Sequence, residues 1–86
     1  MKLHDKLRLH DKFLQSLATA QKQRGERDDW MLFERQTMLD AVNAERAARS
    51  RPPVSMAEIE RADRLASGHS DYSRKFALYC AELVDA

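Results

Sequence analysis

The sequence predicts an all-α fold, a small bundle of about four helices. Its 86 residues contain only two Gly and two Pro, so the chain has few helix breakers. Apolar residues recur at helical spacing in four segments, and short polar connections separate these segments. The predicted helices span about residues 2–23, 29–49, 55–67 and 71–84 of a single domain, 1–86. A three-helix body with a projecting N-terminal helix is the alternative, because the pattern fits both.

The first predicted helix carries apolar residues at heptad-like spacing. Successive steps of four and three residues place them on one stripe, which consists of Leu3, Leu7, His10, Leu14 and Leu17 and is widened by Phe13. The stripe covers only about two to three heptads, fewer than a coiled coil requires. We expect it to pack on the second helix or on the same helix of a second copy.

The second predicted helix opens with the apolar run WMLF, residues 30–33. This run covers more than half of the helix circumference, so it either completes the core or remains for a partner. The helix ends before Pro52 and Pro53, because a proline disfavours the α conformation of the residue before it.

The third and fourth predicted helices have clear start and stop signals. Ser55 and Glu58 have the spacing of a capping box, in which each side chain accepts from a free amide at the helix start. Gly68 is expected to end the third helix, and Asp71 is expected to cap the fourth. The fourth helix is the most apolar and should lie in the core, with a stripe formed by Tyr72, Phe76, Tyr79 and Leu83.

No residue pattern in the chain predicts catalysis or metal binding. The single cysteine, Cys80, excludes an intrachain disulfide, and its place on a half-buried helix face is typical of packing. His4 and His10 are six residues apart, so they point in different directions on a helix, and His69 lies in a predicted turn. We therefore expect neither an enzyme nor a cofactor.

Nucleic-acid binding is the alternative function. Residues 1–24 hold six Lys or Arg against two Asp, whereas the whole chain has a net charge of +1. Phosphate contacts require clustered cations, and the candidates here are Lys2, Lys6, Arg8 and Lys12. Two aspartates interrupt this cluster, and the apolar fourth helix is ill suited to reading bases.

Protein association is the function that the sequence favours. The candidate interface combines aromatic and Met side chains of the second helix with leucines of the first: Trp30, Met31, Phe33, Leu7 and Leu14. We expect a non-catalytic interaction or regulatory module, for which a homodimer is one form. No apolar segment is long enough to span a membrane and no signal peptide is recognisable, so a cytoplasmic location is expected.

The stretches DDWMLFERQTMLDAVNAER and GHSDYSRKFALYCAELV resemble short uncharacterised helical proteins of high-GC bacteria and their phages or mobile elements. The resemblance extends from about Asp28 onward. It implies a source for the sequence, but no activity, cofactor or site residue.

Overall fold

The computed structural model describes the whole chain, from Met1 to Ala86, and contains four α-helices and no strand. The predicted fold class is therefore confirmed, and each predicted helix boundary lies within a few residues of the observed one. The elements in chain order are α1 (Leu3–Gln21), a 3₁₀ turn (Arg24–Glu26), α2 (Trp30–Ala48), α3 (Met56–Ser67) and α4 (Tyr72–Leu83).

Successive helices run in opposite directions and form an up-and-down bundle. Lys12 in the middle of α1 bonds to Glu45 near the end of α2, whereas Arg24 beyond the end of α1 bonds to Glu34 near the start of α2. These two contacts fix the antiparallel order of α1 and α2. Helix α1 also packs against α4, and α3 packs against both α2 and α4.

All four helices contribute to one hydrophobic core. Helix α1 belongs to the body of the bundle and does not project from it, because Leu9, Phe13 and Leu17 are fully buried. The fully buried or nearly buried core residues are Leu9, Phe13, Leu17, Met38, Val42, Ile59, Ala62, Ala66, Phe76, Ala77, Cys80, Ala81 and Val84.

The predicted buried stripe of α1 is wrong by roughly a quarter turn around the helix. Leu9, Phe13 and Leu17 face the core, whereas Leu3 and Leu7 are 72% and 55% exposed. Both stripes have helical periodicity and share Leu17, so spacing alone could not distinguish them. The larger Phe13 lies on the buried stripe, where its ring fills the space between helices.

Helix α4 is central, as its apolar composition predicts. Phe76, Ala77, Cys80 and Ala81 are fully buried, together with Val84 just beyond the helix. Of the predicted aromatic stripe, Phe76 is fully buried, whereas Tyr72, Tyr79 and Leu83 pack against the core and are partly buried. The small residues Ala77, Cys80 and Ala81 allow neighbouring helices to approach closely.

Helix α2 ends in a Schellman motif before the two prolines are reached. The amide of Arg51 donates to the carbonyl of Arg46, and the amide of Ser50 donates to the carbonyl of Ala47. Ser50 has a φ of 57°, a left-handed conformation that is usually occupied by glycine. The prolines therefore follow the helix end without forming it.

The predicted caps of α3 and α4 occupy the expected positions without making the expected bonds. Ser55 and Asp71 are the N-cap residues, but neither side chain accepts a capping hydrogen bond. The capping-box prediction is wrong in this respect, since the amide of Glu58 donates to the backbone carbonyl of Ser55 instead. Gly68 ends α3 as predicted, in a right-handed conformation that needs no glycine.

Arg46 is a buried cation that ties the end of α2 to the end of α4. Its Nε donates to the carbonyl of Pro52 at 2.7 Å, and its Nη1 donates to the carbonyls of Leu83 and Ala86 at 2.7 and 2.9 Å. The side chain lies within the bundle, and the residue is 6% exposed. Carbonyls at a helix end have no amide of a following turn to accept from, and Leu83 accepts only from the amide of Ala86 at 3.4 Å, so Arg46 supplies charged donors there.

Replacing Arg46 with Met should destabilise the fold by about 2–3 kcal/mol, because buried carbonyls lose a charged donor. The free energy of unfolding in urea measures the loss. Arg64→Met is the matched control, since Arg64 is exposed on α3 and forms no ion pair. Equal losses in the two variants would contradict the role of Arg46.

The thiol of Cys80 should be unreactive in the folded chain. Burial raises its pKa from the ordinary 9.0 to about 12, so the thiolate fraction at pH 8 falls about a thousandfold. Because the folded pKa is raised, the neutral thiol stabilises the fold fully below pH 9 and this contribution declines as the pH rises towards 12. Reaction with Ellman's reagent at pH 8 should be slow in buffer and fast in urea. Similar rates in both would refute the burial of this thiol.

Candidate protein-interaction surfaces

The leucines that face away from the core line a groove between α1 and α4. The groove has a volume of about 340 Å³, and its apolar walls come from Leu3 and Leu7 on α1 and Leu78 on α4. His10 Nε2 donates to the carbonyl of Arg74 at 3.1 Å and so joins the two walls. We call this surface the leucine groove.

The rim of the leucine groove is predominantly cationic. Lys6, Arg74 and Lys75 lie along it, against the single carboxylate of Asp71. Lys6 forms an ion pair with Glu82 at 3.0 Å, which balances the positive charge of Lys6. Arg74 and Lys75 form no ion pair within the chain, so their charges are available to a partner.

The four candidate nucleic-acid contacts are not brought together on one surface. Lys6 is directed towards α4, where it pairs with Glu82, whereas Lys12 and Arg8 lie 2.7 and 4.0 Å from Glu45 of α2. Hydrogen bonds from Lys12 and Arg49 hold the pKa of Glu45 below its usual range. Lys2, exposed at the start of α1, is the one candidate of the four without an ion pair.

The apolar run at the start of α2 lies outside the core. Met31 and Leu32 are 47% and 58% exposed, and Trp30 and Phe33 are half-buried. The guanidinium of Arg24 stacks on the Trp30 ring at 4.5 Å, and Phe33 is covered in the same way by Arg27 at 4.1 Å. We call residues 26–33 the α2 patch.

The two arginines that cover the aromatic rings are already matched by carboxylates. Arg24 forms a bidentate pair with Glu34 at 2.6 and 2.8 Å, and Glu34 is only 2% exposed. Arg27 pairs with Asp29 at 2.9 Å. These pairs hold the rings in place. Met31 lies beside Arg24 and Arg35, whose charges are matched by Glu34 and Asp63.

The predicted interface residues thus divide between two surfaces and the interior. Leu7 lies in the leucine groove, and Trp30, Met31 and Phe33 belong to the α2 patch. Leu14 packs against the core and is half-buried. The sequence did not identify the contribution of α4 to the groove, because nothing in it shows which face of α4 meets α1.

A second polar cluster joins α2, α3 and α4 beside a pocket of about 300 Å³. Asp63 accepts from Arg35 Nε at 2.7 Å and from the Tyr72 hydroxyl at 2.6 Å. No buried side-chain nitrogen or oxygen of the chain lacks a partner. The cluster is therefore complete as an internal connection between helices.

The sequence carries a periodic signal for the burial of Asp63, although a charged residue on a surface helix is usually solvated. Asp63 lies four residues after the buried Ile59 and three before the buried Ala66, on the core stripe of α3. Glu34 occupies the equivalent place four residues before Met38 on α2. A charged residue in register with an apolar stripe thus marks a buried ion pair here.

Three further findings concern other classes of site. No group of three or more His, Cys, Asp or Glu side chains is arranged to hold a metal ion. None of the four helices combines the length and apolar character needed to cross a membrane. Cys80, the single thiol, is buried in the core.

Tyr72 should ionise only at strongly alkaline pH. Burial raises its pKa above the ordinary 10.0, and the bond to Asp63 raises it further. Phenolate absorbance is titrated against pH in the native chain and in Tyr72→Phe, and the difference between the two curves gives the ionisation of Tyr72. Asp63→Asn should lower the midpoint, because the adjacent negative charge is removed. Glu60→Gln is the control, since Glu60 contacts Arg35 but not Tyr72. A midpoint unchanged by Asp63→Asn would contradict this explanation.

Comparison of the chain with protein-family models, with curated protein sequences and with solved structures found no match. The function proposed below therefore rests on the residues of the two surfaces and their contacts.

Proposed function

We propose that this chain is a helical protein-interaction module that holds an amphipathic helix of a partner protein in the leucine groove. The observation that carries the proposal is the exposure of Leu3 and Leu7 beside Leu78, next to two cations without ion pairs. Leu3 and Leu7 also belong to the heptad-like stripe of the first helix, a pattern that is typical of helix pairing.

The core is filled without these leucines. Leu9, Phe13 and Leu17 already bury the inner face of α1 completely. A single exposed leucine is ordinary on a protein surface, but contiguous apolar patches mark interaction sites. Five of the six large exposed apolar residues lie in two places, since Met1, Leu3 and Leu7 are at the start of α1 and Met31 and Leu32 at the start of α2.

The groove suits a helix with apolar side chains on one face and carboxylates on the other. Leucine or aromatic side chains at i, i+3 and i+7 would enter between Leu7 and Leu78. Burial of each such side chain contributes on the order of 1.5–3 kcal/mol. The cations Arg74 and Lys75 would face the partner's carboxylates, which gives orientation and partner selectivity.

The contacts support DNA binding less well. Lys6, Lys12 and Arg8 lie near carboxylates of this chain, so phosphate groups would have to displace Glu82 or Glu45. We assign the module no catalytic step, because its one thiol is buried and the polar cluster around Asp63 is fully bonded within the chain.

An NMR titration of the ¹⁵N-labelled chain tests the proposed function. The probe is a synthetic amphipathic helix built from leucines on one face and glutamates on the other. We expect shifts of the amides of Leu3, Leu7 and Leu78, and at least about a tenfold loss of affinity in Leu7→Gln, since a buried apolar anchor is removed. Leu65→Gln on α3 is the matched control, because Leu65 is similarly exposed outside both surfaces.

A peptide of the same composition in scrambled order, without an apolar face, should leave the groove amides unshifted. Equal shifts with both peptides, or none with the amphipathic one at millimolar concentration, would refute the proposal. A short DNA duplex forms the third arm. Shifts at Lys2 and Arg8 that disappear with added salt would instead favour the nucleic-acid alternative.

A further inference from the structure

We infer that the leucine groove is occupied by the α2 patch of a second copy of this chain, that is, by the turn at residues 26–29 and the first turn of α2 at residues 30–33. The inference rests on the proposed function and names the occupant of the same groove. It follows from the complementary chemistry of the two surfaces, each of which has exposed apolar side chains and charges without ion pairs.

The groove selects an acidic occupant. Arg74 and Lys75 stand on its rim without ion pairs, and Asp71 is the one carboxylate beside them. A symmetric dimer in which two grooves face each other would bring these cations together, and that arrangement is repulsive. The second copy must therefore present a different, negatively charged surface.

The α2 patch has that charge. Glu26 and Asp28 are exposed and form no ion pair, and both belong to the turn that leads into Trp30. The arginines of this region do not neutralise them, because Arg24 is bonded to Glu34 and Arg27 to Asp29. Two free carboxylates thus precede the exposed Met31 and Leu32, as two free cations flank the leucines of the groove.

One chain cannot place its own patch in its own groove. The groove leucines lie near the start of α1, whereas the patch follows the end of α1 at Gln21, and the 14 residues from Leu7 to Gln21 span about 21 Å at the rise of an α-helix. Contact between the two surfaces is therefore intermolecular. Each contact joins the patch of one copy to the groove of another, so copies associate head to tail or as a twofold pair that makes the contact twice.

Sedimentation velocity of the full chain, which gives its weight-average mass at each concentration, tests this arrangement. The weight-average mass should rise over a range from about 10 to about 500 µM, as expected for an interface of small area. The groove variant is Arg74→Glu with Lys75→Glu, and the patch variant is Met31→Gln with Leu32→Gln. Each variant alone should associate at least about tenfold more weakly.

Mixing the two variants is the decisive measurement. The groove variant keeps an intact patch and the patch variant keeps an intact groove, so an equimolar mixture should form a one-to-one dimer that neither forms alone. Matched controls change the same residue types on α3, outside both surfaces. Arg61→Glu with Arg64→Glu, and separately Leu65→Gln, should associate like the native chain.

Three results would overturn the inference: a native chain that stays monomeric at the highest concentration, association that neither variant weakens, or a mixture that does not restore it. Failure here is distinct from failure of the proposed function. A monomeric chain that still binds the leucine–glutamate peptide in the groove has a foreign partner helix. A chain that neither associates nor binds the peptide contradicts both.

Discussion

The buried guanidinium of Arg46 connects parts of the chain that are far apart in sequence. Its acceptors are the carbonyl of Pro52 in the loop after α2 and those of Leu83, Val84 and Ala86 at the end of the chain. A buried cation is costly unless its donors are satisfied, and here the negative end of the α4 dipole adds to the bonds. Removal of this one side chain would leave the loop held by the two hydrogen bonds between Asn43 and Val54, and the end of the chain by the ion pairs of Asp85.

Helix α2 is held to each of its neighbours by similar directed contacts. Only Met38 and Val42 of α2 belong to the fully buried apolar core, while Glu34, Glu45 and Arg46 are buried and bonded. Apolar contacts tolerate small slips of one helix along another, but a bidentate ion pair has acceptable geometry in only one register. The polar contacts of α2 therefore specify how the bundle is aligned, and the apolar core supplies most of the driving force.

The sequence predicts the helices of this structure well, but it predicts their rotation and the burial of single polar residues poorly. The number, length and order of the helices follow from periodicity and from the scarcity of Gly and Pro. The rotation of α1 about its own axis does not follow from the sequence, because Leu3 and Leu7 form as regular a stripe as Leu9 and Phe13 do. Nor does the burial of Arg46, since its α4 acceptors lie 37–40 residues away and are backbone atoms. In the candidate site, the leucines of α1 and the α2 patch were identifiable from the sequence, whereas Leu78, Arg74 and Lys75 required the packing of α4.

The misassigned stripe of α1 and the leucine groove have the same origin. A helix in an 86-residue bundle needs one apolar face, and α1 has two that meet at Leu17. Once Leu9 and Phe13 occupy the interior, Leu3 and Leu7 can be covered only by something outside the chain's own core. The cost of exposing them to water is small for each copy, but it is relieved by any helix that fits between α1 and α4. The charges beside the groove then decide which helix that is, because Arg74 and Lys75 repel a second groove and attract carboxylates such as those of the α2 patch.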